Sequence, residues 1–147
     1  MRLETKKDAA ARTVAELMRR DPVPIAPEAS VFELARLLSR TGVHGVPVME
    51  SDGEVVGMAS ASDLLWVCDQ LVGGAREETH SRVPADMTVR DLMTPDIFWV
   101  EPYTTVGALC RFFLRTGVHR ALVMEDGALV GVVSLSDLLG LIAERKG

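Results

Sequence analysis

Two short stretches of the sequence place side chains that could do chemistry together. Ser60-Ala61-Ser62-Asp63 and Ser134-Leu135-Ser136-Asp137 each set two hydroxyls and a carboxylate between apolar runs. A hydroxyl three residues ahead of a carboxylate is spaced for the start of a helix, where free backbone N–H groups and the positive dipole end suit an anion. The carboxylate has lone pairs for both hydroxyls of a cis-diol, in charge-assisted bonds. The pentapeptide Arg-Thr-Gly-Val-His precedes each stretch, ending at His44 and at His119. Arg120 follows the second copy, where the first has Gly45, and Arg115 adds a further cation to an otherwise acidic chain.

The same atoms have plainer uses. Ser-x-x-Asp is a capping box with an acid in the reciprocal position, and boxes of this form also occur at Thr13–Glu16, Ser30–Glu33 and Thr88–Asp91. Both roles are compatible, since a capping serine can share its hydroxyl. A nucleophilic triad of Ser, His and Asp is not expected: there is no Gly-x-Ser-x-Gly elbow, and no catalytic residue is assigned. His44 and His119 have no second ligand three or four residues on, so no metal site is expected.

These stretches belong to a longer repeat. The unit from Arg40 to Leu65 returns from Arg115 to Leu139, with one residue fewer in the turn that separates its two apolar runs. Around it the order of patterns is also doubled. Thr13-Val14-Ala15-Glu16-Leu17-Met18 matches Thr88-Val89-Arg90-Asp91-Leu92-Met93 and reads as a short helical turn, ended near Asp21-Pro22 and near Pro95. Strands over Val23–Ala26 and Ile97–Val100 follow, closed by Pro27 and Pro102. Val31, Leu34, Ala35 and Leu38 recur at helical spacing after Ser30, as do Val106, Leu109, Cys110 and Phe113 after Thr105. Gly42 and Gly117 stand where a left-handed C-cap is needed. Asp52-Gly53 and Asp126-Gly127 join pairs of strands as hairpins, and a helix opens after each Ser-x-x-Asp.

Each copy thus reads β-α-β-β-α behind a short helical turn, an α/β (α+β) chain written twice. The divisions are a lead-in over 1–12, a first copy over 13–69, a linker over 70–86 containing Gly73-Gly74, His80 and Pro84, and a second copy over 87–147. A unit of about 60 residues is near the lower limit for burying its own core, so the copies are expected to pack together with pseudo-two-fold symmetry.

Composition narrows the classes of function. An apolar fraction of 48% in 147 residues supports a real interior. A net charge of −5 argues against broad nucleic-acid binding, which needs a basic surface. No apolar run is long enough to cross a bilayer, and the polar start Met-Arg-Leu-Glu-Thr-Lys-Lys has no apolar signal core, so a cytoplasmic protein with no membrane partner is expected. Cys68 and Cys110 have no metal-ligand spacing, and Cys110 falls in an apolar helical phase as a buried thiol. Trp66, Trp99, Phe112 and Phe113 read as core or interface residues.

The ordered motifs T-V-x-[DE]-L-M, T-G-V-H-x-x-x-V and G-h-h-S-x-S-D-L-L, occurring twice over residues 13–68 and 86–144, resemble the cystathionine-β-synthase (CBS) domain. A tandem pair is called a Bateman module. The resemblance implies a regulatory module that binds AMP, ADP, ATP or S-adenosylmethionine in clefts between the two units. It requires no cofactor and signals a conformational shift to an effector protein. It also implies the contacts: Asp63 and Asp137 to ribose hydroxyls, Ser60 and Ser134 to ribose or phosphate, Ser62 and Ser136 as second hydroxyls, His119 and Arg120 near phosphate, with Gly57, Gly131 and His44 in the same motifs. Copy two, with Arg120, is expected to favour phosphorylated adenosines. A homodimer is expected from the apolar outer faces of the helices after Ser30, Asp63, Thr105 and Asp137. The alternative is an interaction scaffold without ligand.

Overall fold

Capping chemistry sets where the longest helices begin and end. In the computed structural model, which describes residues 12–72 and 83–144, the Ser30 hydroxyl accepts from the Glu33 N–H at 3.1 Å while Glu33 Oε2 accepts from the Ser30 N–H at 2.7 Å. The Thr105 hydroxyl accepts from the Ala108 N–H at 3.1 Å. Both helices stop at a glycine in the left-handed region, Gly42 at φ 70° and Gly117 at φ 72°, as the sequence predicts.

In chain order the elements are α1 (Val14–Leu17), β1 (Arg19–Arg20), α2 (Val31–Thr41), β2 (Gly45–Met49), β3 (Val55–Ser60), a 3-10 turn (Ala61–Leu64) running into α3 (Leu65–Val72), α4 (Val89–Leu92), β4 (Trp99–Val100), α5 (Val106–Thr116), β5 (Arg120–Glu125), β6 (Ala128–Ser134) and α6 (Leu135–Ala143). Among the described residues no helix is long and apolar enough to cross a membrane.

The chain divides into two compact units, and they do not follow the order of the repeat. One comprises Val23–Ile97; the other joins the described residues up to Pro22 with those from Phe98 onward. The sequence reading put each helical turn with the strand and helix that follow it. The backbone places it elsewhere. In α1, Val14 N–H donates to Thr104 O at 2.8 Å and Ala15 N–H to Pro102 O at 2.9 Å, while Val106 N–H donates back to Arg12 O at 2.8 Å. In α4, Val89 N–H donates to Ala29 O at 2.8 Å and Arg90 N–H to Pro27 O at 2.9 Å. Arg90 also donates to Glu28 Oε1 at 2.8 Å and to Glu50 Oε1 at 2.6 Å, and its guanidinium holds the Glu28 carboxyl below the usual carboxylate range.

The unit of residues 12–22 and 98–144 has a four-stranded sheet in the order β1-β6-β5-β4. β6 runs antiparallel to both of its neighbours, β1 and β5, and β4 runs parallel to β5. The strand β1 was not foreseen; it pairs Arg19 with Val132 and Arg20 with Gly131. The unit of residues 23–97 repeats the plan with β2 and β3, flanked by single bridges from Ile25 to Val48 and from Met58 to Thr94. The strand expected over Val23–Ala26 shrinks to that Ile25 bridge because Pro24 and Pro27 have no N–H to donate. The strand expected over Ile97–Val100 keeps only Trp99 and Val100.

Each unit has its own apolar cluster. One gathers Ile25, Val31, Leu34, Val46, Val48 and Val89; the other Val14, Leu109, Phe113, Ala121, Val123 and Val133. Cys110 is half-buried at the edge of the second cluster rather than fully buried, and Cys68 is exposed. Trp66 and Trp99 are exposed, whereas Phe113 is buried and half-buried Phe112 meets Phe98 edge-on at 5.9 Å. The lead-in through residue 11, the linker over 73–82 with its glycines and His80, and residues 145–147 lie outside the described residues.

Close approach of the turn explains two repeated glycines. A Cβ at Gly131 would stand 2.8 Å from Arg19 O and 2.8 Å from Met18 Sδ; at Gly57 it would stand 2.7 Å from Thr94 O and 2.9 Å from Met93 Sδ. Gly131→Ala is expected to cost about 1–3 kcal/mol through overpacking, lowering Tm by several degrees in a thermal melt. Gly140→Ala, in α6 with open space around it, should leave Tm unchanged or raised.

Candidate functional site

A hairpin brings each repeated histidine to the start of a helix. In the second copy Asp126 at φ 50° and Gly127 at φ 78° turn β5 back into β6, so that Arg120 lies opposite Ser134. The carbonyl of His119 then accepts the first N–H of α6, from Leu135, at 2.8 Å. In the first copy Gly45 lies opposite Ser60, and the carbonyl of His44 accepts the Ala61 N–H at 2.8 Å. Any residue would supply that carbonyl, so the bond places positions 44 and 119 without selecting histidine; both imidazoles are exposed.

At the second copy the Ser134 N–H donates to Asp137 Oδ2 at 2.7 Å and the Ser134 hydroxyl donates to the same oxygen at 3.0 Å. A long contact of 3.4 Å from the Asp137 N–H returns to Ser134 Oγ. At the first copy the Ser60 N–H and hydroxyl donate to Asp63 Oδ2 at 2.8 Å and 3.1 Å, and Ser60 Oγ lies 2.8 Å from Ser62 Oγ. Thr88 makes the same pair of bonds to Asp91 Oδ2, at 2.9 Å and 3.2 Å. The box alone is thus a helix-start device. In all three boxes the bonds that the aspartate accepts go to Oδ2 and leave Oδ1 outside the cap, so what distinguishes the two candidate sites is their place where a strand of a hairpin ends. The aspartates and both capping serines are half-buried, at the surface end of their strands. Ser62 and Ser136 are exposed.

The copies differ in how the helix opens. Ser134 leads directly into α6, whereas Ser60 leads into the 3-10 turn before α3 begins at Leu65. A 3-10 start ties its first carbonyls and N–H groups more tightly and points them less regularly along the axis. The second copy is therefore the better presented helix start for an anion.

Arg120 and Ser134 lie together on one sheet face with Leu122 and Val132, since Ala121, Val123 and Val133 point into the core. Arg120 is half-buried and engaged with another group of the chain. Gly57 and Gly131 are buried on the core-facing side against Met93 and Met18, which accounts for glycine there by packing. The sequence reading overlooked Arg19, which β1 brings into one row with Val132 and Leu122. The only signal for it was the pairing of Arg19 with Thr94 in the repeated turns, and its meaning depends on which sheet each turn joins. Among the described residues no group of three or more His, Cys, Asp and Glu side chains is placed to hold a metal ion.

The arrangement can accept a hydrogen bond from a diol at Oδ1, and can meet an anion with a helix start and a cation. The Ser134 hydroxyl donates to its own helix's carboxylate, so it is held as a cap rather than set against an imidazole base.

Comparison with known proteins agrees with this architecture. The family model described as CBS domain matches residues 14–69 and 89–144. The chloroplastic CBS domain-containing protein CBSX1 of Arabidopsis thaliana is 30% identical over 155 residues, which cover 91% of this chain. The chain spans 61% and 65% of the lengths of the first curated relatives it matches. The CBS domain of a bacterial CNNM/CorC family Mg2+ transporter, in complex with ATP, superposes with a TM-score of 0.78 at 24% identity, covering 98% of this chain and 96% of that one. CBSX2 in complex with AMP gives a TM-score of 0.71 at 24% identity, covering 92% and 99%. At that identity the likeness to both structures is one of fold.

Ser134→Ala should lower stability by about 1 kcal/mol, the usual worth of an N-cap. Ser136→Ala, on the exposed side of the same turn, should stay within about 0.5 kcal/mol of wild type. Urea unfolding of the two variants checks the difference.

Proposed function

The chain belongs to the CBS domain family, and from that footing we propose that it is a regulatory, non-catalytic module that binds an adenosine-containing ligand: AMP, ADP, ATP or S-adenosylmethionine. The observation that carries the reading is the state of Asp137. Its Oδ2 is held by the Ser134 N–H and hydroxyl, which fixes the carboxylate and leaves Oδ1 outside the cap as an acceptor for a further donor such as a ribose hydroxyl. Arg120, across the ladder from Ser134, adds a cation where a phosphate would lie. Ser136 and His119 are exposed beside it and supply further polar contacts. Asp63, Ser60, Ser62 and His44 form the second, weaker site, with Gly45 in place of the cation. The ATP and AMP in the complexes of the two structural relatives support this ligand class.

Signalling then follows from differential affinity. A ligand that binds one conformation better than another shifts the population, and an effector protein reads the shift. The scaffold reading keeps one observation in its favour. Leu135, Leu139 and Ile142 make an exposed stripe along α6, at 38%, 55% and 69% exposure. That stripe supports a homodimer under either reading.

A ligand present at a hundred times its dissociation constant stabilises the fold by about 2.7 kcal/mol. A thermal-melt screen of AMP, ADP, ATP and S-adenosylmethionine should therefore raise Tm by a few degrees for at least one of them. Asp137→Ala should weaken that ligand about tenfold or more, as expected for loss of a charged hydrogen-bonding group. No shift with any of the four leaves the scaffold reading. Light scattering at micromolar concentration should give twice the 16.0 kDa chain mass; a single-chain mass removes the dimer.

A further inference from the structure

The two candidate sites differ more in charge than the sequence repeat suggests, because the short strands join sheets out of sequence order. Residue 19 of the first repeat corresponds to residue 94 of the second: Arg19 follows Met18 as Thr94 follows Met93. Taken in sequence order, each copy would hold one cation, Arg19 with Gly45 and Thr94 with Arg120. The sheets arrange them otherwise. Arg19 pairs with Val132, in the strand that ends at Ser134, and so joins the sheet that carries Arg120. Thr94 pairs with Met58, in the strand that ends at Ser60, and joins the sheet that carries Gly45.

The side chains of these residues share a face. Ala121, Val123 and Val133 belong to the core of their unit, so alternation along the strands puts Arg120, Val132, Ser134 and Arg19 on the opposite face. Val46, Val48 and Ala59 are the core residues of the other unit, so Gly45, Met58, Ser60 and Thr94 share the corresponding face. One face therefore bears two arginines around its capping serine, and the other bears none at the same register positions.

We infer that the two sites select ligands of different charge: the site of Ser134 and Asp137 takes phosphorylated nucleosides, with polyphosphates preferred, and the site of Ser60 and Asp63 takes an uncharged nucleoside. Arg19 is the specificity-determining residue. Two strands of separation and two residues along the strand put the Arg19 and Arg120 Cα atoms about 12 Å apart. Two guanidiniums at that separation bracket a chain of phosphates better than a single one, and an arginine's planar fork suits phosphate oxygens. In the other unit Gly45 and Thr94 put no cation at the corresponding register positions to replace a phosphate's lost hydration, which disfavours the charged ligand there.

This inference rests on the adenosine-ligand reading, and its test separates the two. Calorimetric titrations of adenosine, AMP, ADP and ATP are run on the full chain and on Arg19→Ala, Thr94→Arg, Asp63→Ala and Asp137→Ala. Arg19→Ala should weaken ATP about tenfold, AMP less, and adenosine by under twofold, with Tm unchanged because Arg19 is exposed. Asp63→Ala should remove adenosine binding and spare ATP, and Asp137→Ala should do the reverse. Thr94→Arg should create a second ATP site. Equal losses for adenosine and ATP in Arg19→Ala, or loss of ATP in Asp63→Ala, overturn the charge assignment while leaving the adenosine reading in place. Absence of binding by all four ligands to the wild-type chain overturns both.

Discussion

The fold depends on a close backbone approach at the edge of each sheet. A two-residue strand or a single bridge follows each short turn and pairs with the returning strand of a hairpin, Arg19–Arg20 on β6 and Thr94 on β3. The approach brings a carbonyl and a methionine sulfur so near the partner strand that only glycine fits at Gly131 and Gly57. The bonds from Val14 to Thr104 and from Val89 to Ala29 then seat the turns against the loops that start the long helices. Because these pairings join segments far apart in sequence, each compact unit draws on both repeats.

Position on the sheet decides what the repeated Ser-x-x-Asp can do. The same box at Thr88 caps α4, a helix of only four residues. At Ser134 the box sits where a strand ends, a helix of nine residues begins, and an arginine stands across the ladder. Capping holds the carboxylate through Oδ2 and leaves Oδ1 outside the cap. In the proposed site stability and binding would use different atoms of one side chain, so that holding a ligand would not require giving up the cap.

Much of this was legible in the sequence because it is local. The duplication, the caps at Ser30 and Thr105, the left-handed Gly42 and Gly117, and the Asp-Gly hairpins all follow from residues within a few positions of one another. The long helices and paired strands appear where those signals put them. The missing pieces are non-local. β1 is two exposed arginines with no strand pattern, and only its partner β6 makes it a strand. The strand read over Val23–Ala26 failed on its prolines, a local signal that apolar residues had outweighed. Within the candidate site, Ser134 and Asp137 came from the repeat and Arg120 from the position where the copies differ and from the family resemblance, and their mutual placement follows from the hairpin. Arg19 did not, since its neighbours depend on which sheet its turn joins. The glycines at 57 and 131 were read with the ligand motif, but their surroundings give a packing reason.

A crystal structure of the chain grown with ATP tests the central claim most directly. The account predicts a nucleotide whose ribose hydroxyls lie within hydrogen-bonding distance of Asp137 Oδ1, with Oδ2 still capped by Ser134. A nucleotide bound away from Asp137, or an Asp137 that leaves its cap to reach the ligand, would contradict it.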